Sequence, residues 1–393
     1  MAPTATATAP PSAIEGAAII LSGAESTDVD GTINTFEWRQ ISGPEVTLFG
    51  SDTQSPNFTA PLIAEPSQAV FELTVIDDDG AVATADVALS LELAPPSETV
   101  EIETSFDGVP RAYSVYTPAS YQSGAPAVLL LHGGGSSMRE VLIPVRTTAG
   151  WIDFAEAAGF LLIIPNGFNE TLQDGLGDQQ SWNDLRTDLS GRTSTQDDLG
   201  FLLETLDEIA AARGFDPSQV FATGSSNGGI MTFTLMIEAA DRVFGAAAFI
   251  AALPQEIVQD PLSATPVMIL NGREDQLVLF DGGPVADDGA PTRSVPETID
   301  YWLGVNAADV SAATSIDLAD TDPTDGCRIV ETTYPSISDD GTVVLVYDVM
   351  GGGHNIPDPD APDFGPANEA LLGPRCRDAD GVGLAFVFFQ SLQ

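Results

Sequence analysis

The sequence predicts an α/β chain, with a mostly parallel sheet covered by helices on both faces, preceded by a smaller all-β sandwich. Three observations predict it. Residues 13–94 carry many short strand candidates separated by Asp-Gly turns, the pattern of a sandwich. Beyond residue 100, continuous apolar runs alternate with helical stretches, which implies parallel strands buried on both faces. The patterns meet at Ala94-Pro95-Pro96-Ser97, a Pro-rich boundary. The expected organisation is a tail over 1–12, a β module over 13–94, a linker over 95–99 and the α/β domain over 100–393. A chain of 393 residues, 43% hydrophobic, is long enough for two or three cores.

In the first region Ala18–Leu21, Phe36–Arg39, Val46–Leu48, Phe71–Val75 and the alternating run Ala83–Leu91 are strand candidates, and Asp28-Val29-Asp30-Gly31 and Asp77-Asp78-Asp79-Gly80 are turns. In the second, Ala127–Leu131 and Phe160–Pro165 are buried strands, with a helical stretch near Arg139–Ala158 between them. Asp197–Arg213 has helical periodicity. Val220–Thr223, Phe244–Ala252, Pro266–Leu270 and Val343–Val349 are further strands, Ile230–Ala239 a helix, and Gly383–Gln393 a closing helix.

Charge narrows the function classes. The 58 acidic residues against 13 basic ones give a net −45, and every basic residue is Arg. Such a field repels nucleic acid and anionic membranes. The acids are spread along the chain, as on a solvated acidic surface. No apolar run reaches the ~18 residues of a membrane helix, and a monomer is expected. The N-terminus has no charged leader or apolar segment, which leaves a cytoplasmic protein or a secreted one whose signal has been removed; the secreted protein is the expectation. The two cysteines, Cys327 and Cys376, form no C-x-x-C motif. They flank the segment holding His354 and are expected to form one disulfide.

Gly224-Ser225-Ser226-Asn227-Gly228 contains G-x-S-x-G after a strand and before a helix. Small residues there permit a sharp turn that lifts the Ser226 hydroxyl to the sheet edge, making it the candidate nucleophile. Leu131-His132-Gly133-Gly134-Gly135 follows the first long apolar strand. Glycine amides in that place can hold a developing oxyanion. The Gly134 N–H is assigned, with Gly133 the runner-up, together with the Asn227 N–H. Of the two histidines, His132 belongs to this loop, which leaves His354, after Ser226 in sequence, as the base. A lysine base is excluded, because the chain has no Lys. Asp275 follows a strand between Ser226 and His354 and is the candidate acid, with Glu274 and Asp281 as rivals. Ser225 and Trp182 are candidate substrate contacts; core packing is the alternative for Trp182. Too few histidines remain for a catalytic zinc, no nucleotide fingerprint occurs, and neither metal nor cofactor is expected at the site.

Two resemblances follow from these residues. Leu21-Ser22-Gly23, Asp28–Gly31, Trp38-Arg39-Gln40, Ser42-Gly43-Pro44, Phe58–Pro61 and Leu73–Asp77 resemble the PKD-like, immunoglobulin-like modules of extracellular enzymes. The Asp pairs could bind Ca²⁺ weakly or serve as turn formers. Leu130–Gly135, Ile164–Gly167, Ser181–Asp184, Asp197–Phe201, Gly224–Gly229, Asn271–Asp275 and Gly351–His354 resemble the α/β-hydrolase family of polyhydroxybutyrate depolymerases and the related feruloyl and acetylxylan esterases. This resemblance implies an α/β-hydrolase fold, a Ser226–His354–Asp275 triad, an ester substrate that is a polyester or a feruloylated or acetylated polysaccharide, and Trp182 near the acyl site. Two departures stand out. Asn271 replaces the family's usual His, and Asn355-Ile356-Pro357 follows His354 in place of Thr-Trp-Pro. A non-catalytic adhesion or carbohydrate-binding protein is the alternative of another class.

Overall fold

Strand Ser67–Asp77 buries every second residue, as expected where one face of an antiparallel sheet packs on a core and the other meets solvent. The computed structural model that shows this describes every residue except 145, 187–192, 258–259, 287–288, 338–341 and 362–365. Two compact units are present, Met1–Tyr113 with Glu208–Gly214, and Ser114–Asp207 with Phe215–Gln393.

The first unit contains β1 (Ser12–Ile14), β2 (Ala18–Ile20), β3 (Ile33–Ser42), β4 (Asn57–Thr59), β5 (Ser67–Asp77), β6 (Val82–Glu92), β7 (Thr99–Phe106) and the start of β8 (Val109–Tyr116). One sheet has the order β1-β6-β5-β3 and a second pairs β2 with β4. Ile19, Leu21, Trp38, Phe58, Phe71, Leu73, Val75, Leu89 and Leu91 form its core, with the Phe58 and Phe71 rings 5.0 Å apart. Val46–Leu48, expected as a strand, is irregular. Pro44 lacks an N–H for a ladder, and the Val46 N–H donates instead to the Gln40 side chain at 3.1 Å. The same unit holds a buried ion pair. Both Glu15 oxygens accept from the Arg213 guanidinium, at 3.0 and 2.7 Å, and also from the Ile63 and Ala94 amides.

The second unit contains β9 (Ala127–Leu131), α1 (Gly150–Ala158), β10 (Leu161–Pro165), most of α2 (Asp198–Arg213), β11 (Val220–Ser225), α3 (Asn227–Glu238), β12 (Gly245–Phe249) and β13 (Val267–Gly272). After these come the short hairpin β14–β15 (Gly283–Pro284, Pro291–Thr292), α4 (Val295–Val305), β16 (Thr314–Asp317), β17 (Arg328–Tyr334), β18 (Val344–Met350), α5 (Pro366–Leu372) and α6 (Gly381–Ser391). The sheet order is β16-β17-β18-β13-β12-β11-β9-β10. Strands β10 to β18 pair in parallel, and β17 and β16 add antiparallel strands at one edge. Every residue of β9, β10, β12 and β13 is buried, as the continuous apolar runs require. Aromatic rings fasten α1 and α6 together. Trp151 stacks on Phe389 at 5.8 Å and Phe154 on Phe386 at 4.5 Å.

The helix expected over Arg139–Ala158 begins only at Gly150. Ile143 precedes Pro144 and is extended, with ψ of 128°, because a proline disfavours helical geometry in the residue before it. The β9-to-β10 and β10-to-β11 crossovers run in opposite directions along the sheet. The order therefore reverses between β9 and β11, where α/β sheets form a crevice at their C-terminal edge.

Candidate active site

The pairing register brings the chemistry-bearing loops together. Gly224 lies opposite Leu131, Ser225 opposite Phe249, and Gly272 opposite Val349. The ends of β9, β11, β12, β13 and β18 thus lie side by side, and His132–Gly135, Ser226, Asp275 and His354 all follow those ends.

Ser226 forms the turn between β11 and α3. Its φ of 56° and ψ of −126° lie in a region rarely occupied by a residue with a side chain. This strain is held by the Ser226 N–H donating to the Phe249 carbonyl and the Ser226 carbonyl accepting from Ile230, each at 2.9 Å. The flanking glycines are required sterically. A Cβ on Gly224 would collide with the Gly228 carbonyl oxygen, and one on Gly228 with the carbonyl oxygens of Leu131 and His132.

The oxyanion loop lies against the same turn. A Cβ on Gly133 would lie 3.7 Å from the Ser226 Cβ, and one on Gly134 would lie 3.4 Å from the Asn227 Cβ. Ser225 lies beside Gly133. The Gly134 and Asn227 amides have no hydrogen-bond acceptor among the described residues. Both nitrogens of the buried His132 ring are engaged. Nε2 accepts from the Gly167 N–H at 2.9 Å, and Nδ1 lies 2.8 Å from the Gly133 carbonyl. His132 therefore shapes the loop and holds no free nitrogen for a base.

Asp275 and His354 form a buried pair, with Nδ1 of the imidazole 2.7 Å from Oδ2 of the carboxylate. The other oxygen, Oδ1, accepts from the Leu277 and Val278 amides at 2.8 and 2.9 Å, which fixes the carboxylate. An imidazole that donates from Nδ1 presents its Nε2 lone pair on the other side. The two rival acids, Glu274 and Asp281, are exposed. Asn271 is buried under the same loop and donates to the Ala251 carbonyl at 3.1 Å.

Trp182 is fully buried. Its indole N–H donates to the His132 carbonyl at 2.8 Å, and its backbone N–H donates to Asn227 Oδ1 at 2.7 Å. The Asn227 side chain in turn donates to Asp184 at 2.6 Å. Asp184 pairs with Arg186 at 2.8 Å. Burial pushes the Asp184 carboxyl up from its ordinary range, against the opposing pull of Arg186 and Asn227. The supporting role of Asp184 was not legible in the sequence, because its partner Asn227 lies 43 residues away at the start of a helix.

Two regions of the chain match known protein families. Residues 12–91 match a family described as a PKD domain, and residues 115–285 match the family described as Phospholipase/Carboxylesterase. The chain is 28% identical over 295 residues to the "Putative esterase NocK" of Nocardia uniformis subsp. tsuyamanensis, covering 70% of this chain and 81% of that protein. It is 25% identical over 136 residues to the "Bifunctional acetylxylan esterase/xylanase XynS20E" of Neocallimastix patriciarum, covering 35% of this chain and 17% of that protein. Among solved structures, an acetyl xylan esterase from Aspergillus awamori has 16% identity and a TM-score of 0.43 over 69% of this chain and 98% of that one. The chain is a serine ester hydrolase with an α/β-hydrolase fold, and a PKD-like domain precedes the enzyme domain. Among the described residues, no helix is long and apolar enough to cross a membrane.

Proposed function

We propose that this esterase works through a Ser226–His354–Asp275 triad and acts on esters of a polymer. The observation that carries the reading is the buried 2.7 Å Asp275–His354 pair on the strand ends that also hold the strained Ser226 turn. His354 takes the Ser226 proton as Oγ attacks the ester carbonyl. The Gly134 and Asn227 amides stabilise the oxyanion. His354 then protonates the leaving alcohol, and water repeats the sequence on the acyl-enzyme. No step calls for a metal or cofactor. Trp182 and Asp184 position this machinery by holding the His132 carbonyl and the Asn227 side chain.

The decisive test is Ser226→Ala. It is expected to cut turnover on the order of 10⁶-fold while the protein stays folded by circular dichroism. A folded variant that retains a tenth of the activity would show the nucleophile to be elsewhere.

For the substrate, the proposal is a polyester, on the strength of the segments that resemble polyhydroxybutyrate depolymerases. A second reading, an acetylated polysaccharide, is favoured by the acetylxylan esterase name of one relative. Release of hydroxy acids from polyhydroxybutyrate or of acetate from acetylated xylan separates the two. The proposal includes secretion, and the Cys327–Cys376 disulfide supports it, since such bonds persist in oxidising compartments.

A further inference from the structure

Away from Ser226, a disulfide fastens two segments of the second unit. Cys327 and Cys376 are bonded, with Cα atoms 5.4 Å apart. Two carboxylates share that corner. One oxygen from Asp325 and one from Asp378 lie within 4.8 Å of each other and of both sulfurs. The sulfurs are bonded to one another, so neither is a thiolate, and the side-chain donors left at the corner are oxygens.

Asp378 is only 7% exposed. Its Oδ1 accepts from the Thr321 and Asp322 amides at 2.7 and 3.0 Å. Its Oδ2 is buried and has no hydrogen-bond partner. A carboxylate oxygen removed from water without a partner is costly, and a second carboxylate within 4.8 Å adds repulsion. Two further acids, Asp320 and Asp322, belong to the loop that Asp378 holds. The corner thus gathers negative charge around one unsatisfied oxygen.

We propose that this corner is a Ca²⁺ site, with Asp378 and Asp325 as carboxylate ligands and Asp320 and Asp322 at its rim. Oxygen donors on an irregular loop suit Ca²⁺, which takes 6–8 oxygens in flexible geometry. Zn²⁺ favours nitrogen and sulfur, and Mg²⁺ demands a stricter octahedron. The site would brace the histidine loop. The Gly353 N–H donates to the Pro374 carbonyl at 2.7 Å, the Asp358 N–H donates to the Cys376 carbonyl at 3.2 Å, and the Arg377 N–H donates to Asp325 at 2.8 Å. A cation joining Asp325 to Asp378 would stiffen the strap that holds the backbone around His354.

The test uses the full oxidised chain, freed of metal with a chelator and titrated calorimetrically with CaCl₂. Wild type is expected to bind Ca²⁺ at this corner with a Kd no weaker than about 1 mM, the range of extracellular modules, and to melt at higher temperature as Ca²⁺ rises. Asp378→Asn should lose that binding at least tenfold, and Asp320→Asn, at an exposed position, should weaken it several-fold without disturbing the fold. A double Asp28→Asn, Asp78→Asn variant removes carboxylates of the first unit and should leave the binding intact. The stability order should also cross. Without Ca²⁺, Asp378→Asn melts at or above the wild-type temperature, because one buried charge is gone. With saturating Ca²⁺ it melts below wild type. The proposal is overturned if wild type shows neither heat nor a melting shift at about 10 mM Ca²⁺, or if Asp320→Asn and a folded Asp378→Asn both bind as wild type does. Should Asp378→Asn not fold, an unchanged isotherm for Asp320→Asn together with Asp325→Asn is the refuting result.

Discussion

Ser226 can hold its left-handed backbone only because neighbouring residues yield space. Gly228→Ala would drive a methyl group into the Leu131 and His132 carbonyl oxygens. The expected cost is about 1–3 kcal/mol of stability, as for overpacking, with activity largely lost because the same two residues lead into the oxyanion loop. Urea denaturation and a soluble-ester assay on one preparation would check both. Trp182→Phe keeps an aromatic ring but a smaller one, and it removes the donor to the His132 carbonyl. A buried acceptor left unpaired costs about 1–3 kcal/mol. A urea midpoint equal to wild type would show that the carbonyl has found another donor. The motif residues were legible because G-x-S-x-G and the His-Gly-Gly-Gly run are local in sequence. The Asn227–Asp184–Arg186 chain beneath them was not, since no periodicity links a helix start to a loop some forty residues earlier.

At the level of elements, the continuous apolar runs located β9, β10 and β13 because strands buried on both faces leave an unambiguous record. The Arg139–Ala158 stretch misled because its helical periodicity continues through Pro144, whose effect on Ile143 outweighs the pattern. Val46–Leu48 misled for a related reason, since a side chain of β3 takes the amide that a neighbouring strand would have bonded. The edge strands β16 and β17 left little signal, as the former is exposed along its length. The closing helix α6 was found, though its importance lies in its rings. Phe389 stacks on Trp151 and on Phe221, so Phe389→Ala should cost about 3–5 kcal/mol in a denaturant melt. A loss below 1 kcal/mol would mean that the cluster collapses to fill the gap.

For the molecule as a whole, a net charge of −45 makes the folded state repel itself. Its melting temperature should rise as NaCl increases from low concentration to about 1 M, where the screening length falls to about 3 Å. A melting temperature that fell over that range would contradict this. On the alkaline side Tyr301 is pushed up to about 12, mainly by burial and secondarily by Asp260. A raised folded-state value favours the native state below the ordinary tyrosine range, and that contribution disappears as pH climbs through about 12. Tyr301→Phe should therefore shift the alkaline unfolding midpoint upward, followed by near-UV absorbance. Finally, the Glu15–Arg213 pair joins positions 198 apart in sequence within one compact unit. A ribosome adding about 5–20 residues per second would take roughly 10–40 s to travel from one partner to the other. The amino-terminal sandwich is thus synthesised long before its own buried counter-ion exists, and its final closure must wait for a helix encoded in the middle of the chain.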